Sequence, residues 1–117
     1  MKQFEVWWAL LPMPAGRRPV LLLSRTRAYS TLNKVAVAEI TTNVRRIGVE
    51  VPLGRDEGLP RTCAANLDNI RTVRIHALVE KIGTLSVGRH HVVKRALGHA
   101  FELDELLQAK PAVPHGS

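Results

Sequence analysis

Seven short runs of apolar and β-branched residues, each bounded by turn-forming residues, constrain the fold of this chain most strongly. Runs of this length are typical of β-strands and are too short for the helices of a hydrophobic core. They occupy residues 4–10, 20–24, 34–41, 49–53, 62–67, 70–75 and 79–85. Pro52 in the fourth run cannot donate a ladder hydrogen bond and predicts an edge strand. The turn-prone Asp68-Asn69 pair separates the fifth run from the sixth, and residues 25–33 predict a turn or a single helical turn.

Only the C-terminal region has the period of a long helix, with one apolar face. Its apolar positions are Val92, Val93, Ala96, Leu97, Ala100, Leu103 and Leu107. We expect the helix to begin at Ser86, a good N-cap, and to end before Pro111. The predicted fold is mainly β, a strongly bent sheet or open barrel with one helix packed on it. The domain should cover residues 1–110, and the tail 111–117 has nothing to bury and is predicted to be disordered.

The charge of the chain restricts its partners. Lys and Arg number 17 against 10 Asp and Glu, a formal net charge of +7 over 117 residues. Such an excess on one small domain favours nucleic acid, an acidic protein or a membrane surface. No apolar run approaches the roughly 20 residues of a membrane-spanning helix, and the first residues do not form the apolar core of a signal peptide. We therefore expect a protein that neither spans a membrane nor is secreted by that route.

Cysteine and histidine usage limits the metal chemistry of the chain. Cys63 is the only cysteine, so no intrachain disulfide or cysteine-based zinc cage can form, and a reducing cytoplasm is the expected location. Cys63 lies in a strand-like run and is predicted to be a buried small hydrophobe rather than a nucleophile. No two histidines have the i, i+4 spacing that lets one helix chelate a metal. We expect no metal site and no cofactor.

Two motifs at predicted strand ends could bind phosphate. Arg17 and Arg18 lie where a loop with three prolines enters the second strand, and a guanidinium fork fits phosphate oxygens. The alternative is a solvated basic pair, which is the more common case. Thr41, Thr42 and Asn43 end the third strand, where they could point toward a ligand or bond to nearby backbone as ordinary turn residues. Neither motif decides between its alternatives alone.

An acidic residue and a tryptophan pair are further candidates. Asp68 could accept a proton, or it could form a turn and pair with Arg71. Trp7 and Trp8 are neighbours on a strand and must face opposite sides, so one belongs to the core and the other is available for base stacking or a subunit interface. Trp7 shares the face of Glu5 and is predicted to be the exposed one.

Six motifs follow one another in a distinctive order. They are Val6-Trp7-Trp8-Ala9-Leu10, Arg18-Pro19-Val20-Leu21-Leu22-Leu23-Ser24, Glu39-Ile40-Thr41-Thr42-Asn43, Val51-Pro52-Leu53-Gly54 through Gly58-Leu59-Pro60, Asn66 to Thr72, and Lys81-Ile82-Gly83-Thr84-Leu85-Ser86. In order and spacing, from about residue 4 to 103, they resemble the MazF/PemK family of toxin endoribonucleases. Each motif is weak by itself, and their joint order carries the resemblance.

The resemblance implies an SH3-like open barrel of the kind shared with the gyrase poison CcdB, and a homodimer. It also implies metal-independent cleavage of single-stranded RNA and an acidic, MazE-like antitoxin as partner. By position, Arg18 and Thr41 match the family's catalytic arginine and threonine, and Asp68 matches an aspartate that assists catalysis in the related Kid toxins. Expected RNA contacts are Arg17, Thr42, Asn43, Asn66 and Arg71.

Metal-independent cleavage implies attack by the RNA's own 2′-OH, giving a 2′,3′-cyclic phosphate and a 5′-OH. Arg18 is then expected to stabilise the developing charge and Thr41 to orient a phosphate oxygen. Two alternatives remain, a CcdB-like topoisomerase poison that cuts nothing and a non-catalytic member that binds only RNA or antitoxin. The joint presence of Arg18, Thr41 and Asp68 favours the nuclease.

Overall fold

One six-stranded antiparallel sheet forms most of the structure, a computed structural model that describes residues 1–112. The strands are β1 (Glu5–Leu10), β2 (Arg17–Leu22), β3 (Lys34–Thr41), β4 (Glu50–Leu53), β5 (Cys63–Arg74) and β6 (Leu78–Thr84). Their order across the sheet is β4-β5-β3-β2-β1-β6. The helices are α1 (Ala28–Thr31), α2 (His90–Phe101) and α3 (Asp104–Leu107). The prediction of a mainly β fold with a C-terminal helix is confirmed.

A hydrophobic cluster lies on each face of the sheet, because side chains alternate along a strand. On β2, Leu21 joins one cluster whereas Val20 and Leu22 join the other, and all three are fully buried. The first cluster is shared with α2, and the second with α1 and the β1–β2 loop. Both faces of the sheet therefore carry part of the hydrophobic core.

The sheet curls so that the turn after β4 meets β6. In this turn Gly58 has a φ of +89°, a left-handed conformation that favours glycine, and it lies against the backbone of Ile82. Gly83 of β6 lies so close to the backbone of Glu57 that a Cβ atom would have no room. The buried Glu57 carboxylate accepts a hydrogen bond from Arg89 at 3.3 Å. These contacts close the half-barrel.

The prediction of separate strands at 62–67 and 70–75 is wrong, because β5 is one strand of 12 residues. Ala38 of β3 pairs with Ile70 and Ile40 pairs with Ala65, so the four residues 66–69 of β5 lie opposite the single residue Glu39. Asp68-Asn69 therefore forms an irregularity within a strand rather than a turn between two strands. Two other local predictions are confirmed, since β4 lies at the edge of the sheet and α1 supplies the single helical turn.

The predicted single helix to Leu107 is also wrong, because the chain forms two helices there. A 3₁₀ turn separates Ser86 from α2, so Ser86 is not its N-cap. α2 ends at Phe101, and the next residue, Glu102, has a left-handed φ of 53°. The Leu103 N–H then donates to the Gly98 carbonyl at 2.9 Å. Because Gly98 has no side chain, α3 can fold back and pack Leu107 against it. Packing of the half-buried Leu107 on α2 thus takes the place of a continued helix.

The tail predicted to be disordered spans residues 111–117, and its residues 113–117 lie outside the part of the chain that the structure describes. Within residues 1–112, no helix is long and apolar enough to cross a membrane. Cys63 is buried, as its strand-like surroundings predicted.

Candidate active site

The β1–β2 loop holds Arg18 at the start of β2. Leu11 is buried beneath the loop, and its N–H donates to the carbonyl of Gly16 at 2.9 Å. The Arg18 Nε–H donates to the carbonyl of Ala15 at 3.1 Å. Within residues 1–112, no carboxylate lies within ion-pair distance of Arg18. The loop therefore fixes the guanidinium through Nε and leaves its two Nη groups for an anion.

Thr41 ends β3 beside the start of β2. In these strands Val20 pairs with Glu39, and Arg18 and Thr41 each lie two residues beyond that pair, at the end where the pairing of the strands stops. The Thr41 Oγ1 accepts the Asn43 N–H at 3.0 Å. Because this bond occupies a lone pair of the oxygen, the hydroxyl hydrogen remains available to an anion.

Arg18 and Thr41 line one cavity of about 200 Å³. Its lining residues are Trp8, Arg18, Pro19, Ile40, Thr41, Thr42, Leu59, Pro60, Arg61 and Cys63. Two arginines and two threonines are among these residues, and the described lining includes no Asp or Glu. Such an arrangement suits a phosphate, while the aromatic and apolar wall suits a base.

Both tryptophans are half-buried, and Trp8 lines the cavity whereas Trp7 does not. The prediction that Trp7 is the exposed tryptophan is therefore wrong. The Trp7 indole N–H donates to the Glu5 carboxylate at 3.0 Å, and Lys81 pairs with that carboxylate at 3.1 Å. Burial acts to raise the pKa of Glu5, but hydrogen bonds from Trp7 and Lys81 lower it below its usual value. Glu5 is thus a buried, paired carboxylate and does not mark a solvent-facing side of β1.

Arg17 forms a cation–π contact with the Trp8 ring. The Arg17 Cζ atom lies 4.9 Å from the ring centroid. Arg17 also pairs with Glu80 at 3.7 Å, with both side chains more than half exposed. The guanidinium therefore stabilises the orientation of the indole beside the cavity through a cation–π contact.

Arg61, in the segment leading into β5, and Cys63, the first residue of β5, also line the cavity. Arg61 is exposed, and sequence reasoning missed it, although it directly follows the Gly58-Leu59-Pro60 motif. Burial raises the pKa of the Cys63 thiol, and the nearby Glu57 carboxylate raises it further. The thiol therefore stays protonated near neutral pH, which agrees with its predicted role as a buried small hydrophobe.

The other predicted site residues do not line this cavity. Asn66 is buried, and its Oδ1 accepts the Asp68 N–H at 2.8 Å. Arg71 pairs with Glu39 at 3.6 Å and not with Asp68, so the alternative of a turn held by an Asp68–Arg71 pair is wrong. Asp68 is exposed in the irregular part of β5, and its role as a proton acceptor stays a prediction. Within the described chain, no group of three His, Cys, Asp or Glu could hold a metal ion.

A family model and the curated relatives of this chain point to the same protein family. Residues 2–101 match the family model described as PemK-like, MazF-like toxin of type II toxin-antitoxin system. The chain is 40% identical over 100 residues to the probable endoribonuclease MazF5 of Mycobacterium tuberculosis, covering 84% of this chain and 90% of that protein. It is 38% identical over 87 residues to endoribonuclease MazF3 of the same organism, covering 74% and 84%.

The fold agrees with these relatives. The solved structure of the Mycobacterium tuberculosis toxin MazF-mt6 superimposes with a TM-score of 0.79 and 34% identity, covering 84% of this chain and 96% of that one. The predicted MazF-like open barrel is confirmed by this similarity. The matched residues 2–101 include every residue that lines the Arg18–Thr41 cavity. Since the family model spans most of the chain, the chain belongs to the PemK-like, MazF-like toxin family of type II toxin-antitoxin systems.

Proposed function

We propose that this chain is an endoribonuclease that cleaves single-stranded RNA sequence-selectively and thereby inhibits translation and growth as the toxin of its toxin-antitoxin pair. The observation that carries the proposal is the convergence of Arg18 and Thr41 in one cavity that no described carboxylate lines. A guanidinium fork and a hydroxyl donor together suit a single phosphate group. The relatives MazF5 and MazF3 are named as endoribonucleases, which supports the same reaction here.

In the proposed reaction the RNA supplies its own nucleophile. The 2′-oxygen forms a bond to the adjacent phosphorus, and the bond between phosphorus and the 5′-oxygen breaks. The 2′-hydroxyl loses a proton to a base and the departing 5′-oxygen gains one, giving a 2′,3′-cyclic phosphate and a 5′-OH end. Arg18 stabilises the additional negative charge on the phosphorane, while Thr41 donates to a phosphate oxygen and orients it. Asp68 is the proposed proton acceptor.

Contacts outside the reacting phosphate would determine where the RNA binds. We propose that a base next to the cleaved bond stacks on Trp8, because every base has a π-face and Arg17 holds this ring in place. Thr42 lies in the same cavity and can reach the same nucleotide. The remaining proposed RNA contacts are Arg17, Asn43, Asn66 and Arg71.

The proposed partners follow from membership of a toxin-antitoxin family. An acidic antitoxin segment would be attracted by the net charge of +7 and would occupy the space that RNA requires. We also propose that the toxin is a homodimer and acts in the cytoplasm. Exclusion of RNA by the antitoxin would then be steric and would not need a contact with Arg18.

Cleavage of a long single-stranded RNA is expected to continue in EDTA and to leave 5′-OH ends. The physical reason is that Arg18 supplies the positive charge and the RNA supplies the nucleophile, so the proposed reaction requires no metal ion. The ends are measured by direct 5′-phosphorylation of the products with and without prior phosphatase treatment. Arg18→Ala, purified in parallel, controls for a contaminating ribonuclease.

A strict requirement for Mg²⁺, or products with 5′-phosphate ends, would contradict this mechanism. RNA binding without cleavage would favour the non-catalytic alternative. Inhibition of a topoisomerase without RNA cleavage would favour the CcdB-like alternative.

Stacking on Trp8 is testable by fluorescence, because the chain has two tryptophans. In Trp7→Phe only Trp8 emits, and a single-stranded 2′-deoxyoligonucleotide, which lacks the attacking hydroxyl, is expected to quench this emission. In Trp8→Phe the emission of Trp7 is expected to change little, since its indole is bonded to Glu5. Trp8→Ala should weaken binding by about 1–3 kcal/mol, the contribution of one stacked base. Equal quenching of both tryptophans would contradict the assignment.

A further inference from the structure

A second cationic surface lies at the end of β3 opposite to Thr41. Lys34 begins β3 and Arg74 ends β5, and the two residues are direct cross-strand partners. Both side chains line two depressions of about 540 and 500 Å³. The first depression also contains Asn33 and His76, and the second contains Arg71. We refer to Lys34, Arg74 and the two depressions that they share as the Lys34–Arg74 patch.

The patch has an unbalanced positive charge. Like charges directly opposite each other on a sheet are destabilising. Neither depression has an Asp or Glu in its described lining, and no ion pair within residues 1–112 involves Lys34 or Arg74. Beside them, the buried Nη1 of Arg71 has no hydrogen-bond partner among the described residues. An anionic ligand would remove the repulsion and accept hydrogen bonds from Lys34 and Arg74.

The patch is separate from the Arg18–Thr41 cavity. The two sites share no lining residue. β3 has 8 residues between Lys34 and Thr41 inclusive, which at about 3.3 Å per residue step separates its ends by roughly 23 Å. One phosphate cannot contact both sites, but a polynucleotide chain carries phosphates far enough apart to do so.

We propose that the Lys34–Arg74 patch is a second, non-catalytic phosphate-binding site for the RNA strand that flanks the cleaved bond. This inference rests on the proposed RNA-cleaving function and adds a place where flanking nucleotides bind. Lys34 and Arg74 contact the phosphates, and the exposed imidazole of His76 offers a surface on which a flanking base can stack.

The polar lining favours RNA over an acidic protein segment as the occupant. The first depression includes the amide of Asn33, which can donate to phosphate and ribose oxygens. The Ser30 and Thr31 hydroxyls there donate their hydrogens to the Arg27 carbonyl, so their oxygens are left to accept from a ribose hydroxyl. A protein segment that folds on binding must also bury apolar side chains to offset its ordering cost. Among the described residues, the first depression has the aliphatic side chains of Leu32 and Ile75 beside the Tyr29 ring. The second depression is more apolar, with Leu10, Leu11, Pro12, Val73 and Ala77 in its lining, so the preference for RNA rests on the first depression.

The test compares two single-stranded 2′-deoxyoligonucleotides, which lack the attacking hydroxyl and measure binding whether or not the protein cleaves RNA. One is long enough to span both sites, and the other is trimmed to the nucleotides that the cavity can hold. The variant is Lys34→Gln with Arg74→Gln. The matched control is Arg55→Gln with Lys94→Gln, which removes the same charge from two exposed residues outside the patch.

Fluorescence anisotropy should show that the Lys34→Gln/Arg74→Gln variant loses about tenfold in affinity for the long strand. The slope of log affinity against log salt concentration should be smaller in magnitude by about 1.4, because two phosphate contacts are lost. Its affinity for the trimmed strand and the affinities of the control for both strands should equal those of the wild type. Circular dichroism establishes that both variants are folded.

An equal loss for the long and trimmed strands, or the same loss in the control, would overturn the proposal and indicate general electrostatic attraction. Unchanged binding of the long strand with weaker binding of an acidic antitoxin peptide would overturn it in favour of a protein partner. Failure of the proposed RNA cleavage is distinguishable from failure of this binding proposal. Cleavage is measured separately, on RNA in EDTA, and depends on Arg18.

Discussion

Arg18→Ala is expected to lower the rate of RNA cleavage by about 10²–10³, which corresponds to about 2.7–4 kcal/mol of transition-state stabilisation. The guanidinium is fixed by its bond from Nε to the Ala15 carbonyl, so it can meet the developing charge without reorganising. The other arginine in the described lining of the cavity, Arg61, lies in the segment before β5 and does not occupy the position of Arg18. Initial rates on one labelled RNA, at saturating enzyme, give the measurement.

Two further variants keep this result interpretable. Arg55→Ala removes an exposed arginine outside the cavity and should retain the wild-type rate. Arg18→Lys keeps the charge and removes the planar fork, so its rate should fall between those of the wild type and Arg18→Ala. Arg18 is exposed at the start of β2, so the thermal midpoints of its variants should match that of the wild type. Near-wild-type cleavage by folded Arg18→Ala would remove Arg18 from the mechanism.

The sequence predicted the strands well where one physical signal dominated. β3 was predicted over residues 34–41, as observed, because its β-branched residues are bounded by polar turns. The error at β5 has a tertiary cause, since Asp68-Asn69 is turn-prone locally, yet β5 pairs with β3 on both sides of that point. The error at the C-terminal helix is similar, because the apolar period continues to Leu107 although the chain reverses at Glu102. Local patterns cannot report such contacts between distant segments.

Prediction of the candidate site was limited in the same way. Arg18, Thr41 and Thr42 were identified from strand-end motifs, and the structure places them in one cavity. Arg61 had no motif of its own, because its approach to the cavity depends on the path of the chain between β4 and β5. Trp7 was preferred over Trp8 because a glutamate normally marks a solvent face, but Lys81, distant in sequence, pairs with Glu5 and permits its burial.

Closure of the half-barrel depends on a glycine, and Gly83→Ala is expected to destabilise the fold by about 3 kcal/mol, at the upper end of the usual cost of overpacking. A Cβ at Gly83 would lie 2.7 Å from the carbonyl carbon of Glu57, and closer still to its oxygen. Both neighbours are backbone atoms, so rotation of a side chain cannot relieve the clash. The turn is also held from inside, because the Glu57 carboxylate accepts the Gly54 N–H at 2.7 Å and pairs with Arg89 at 3.3 Å.

Gly88→Ala is the matched control, because a Cβ at Gly88 would meet nothing within 4 Å. Its effect on the free energy of unfolding should stay within about 0.5 kcal/mol, as for other uncrowded surface substitutions. Urea unfolding of the wild type and the two variants provides the comparison. A Gly83→Ala protein as stable as Gly88→Ala would mean that the turn after β4 can move away from β6 without loss, and closure would then contribute little to the stability of the barrel.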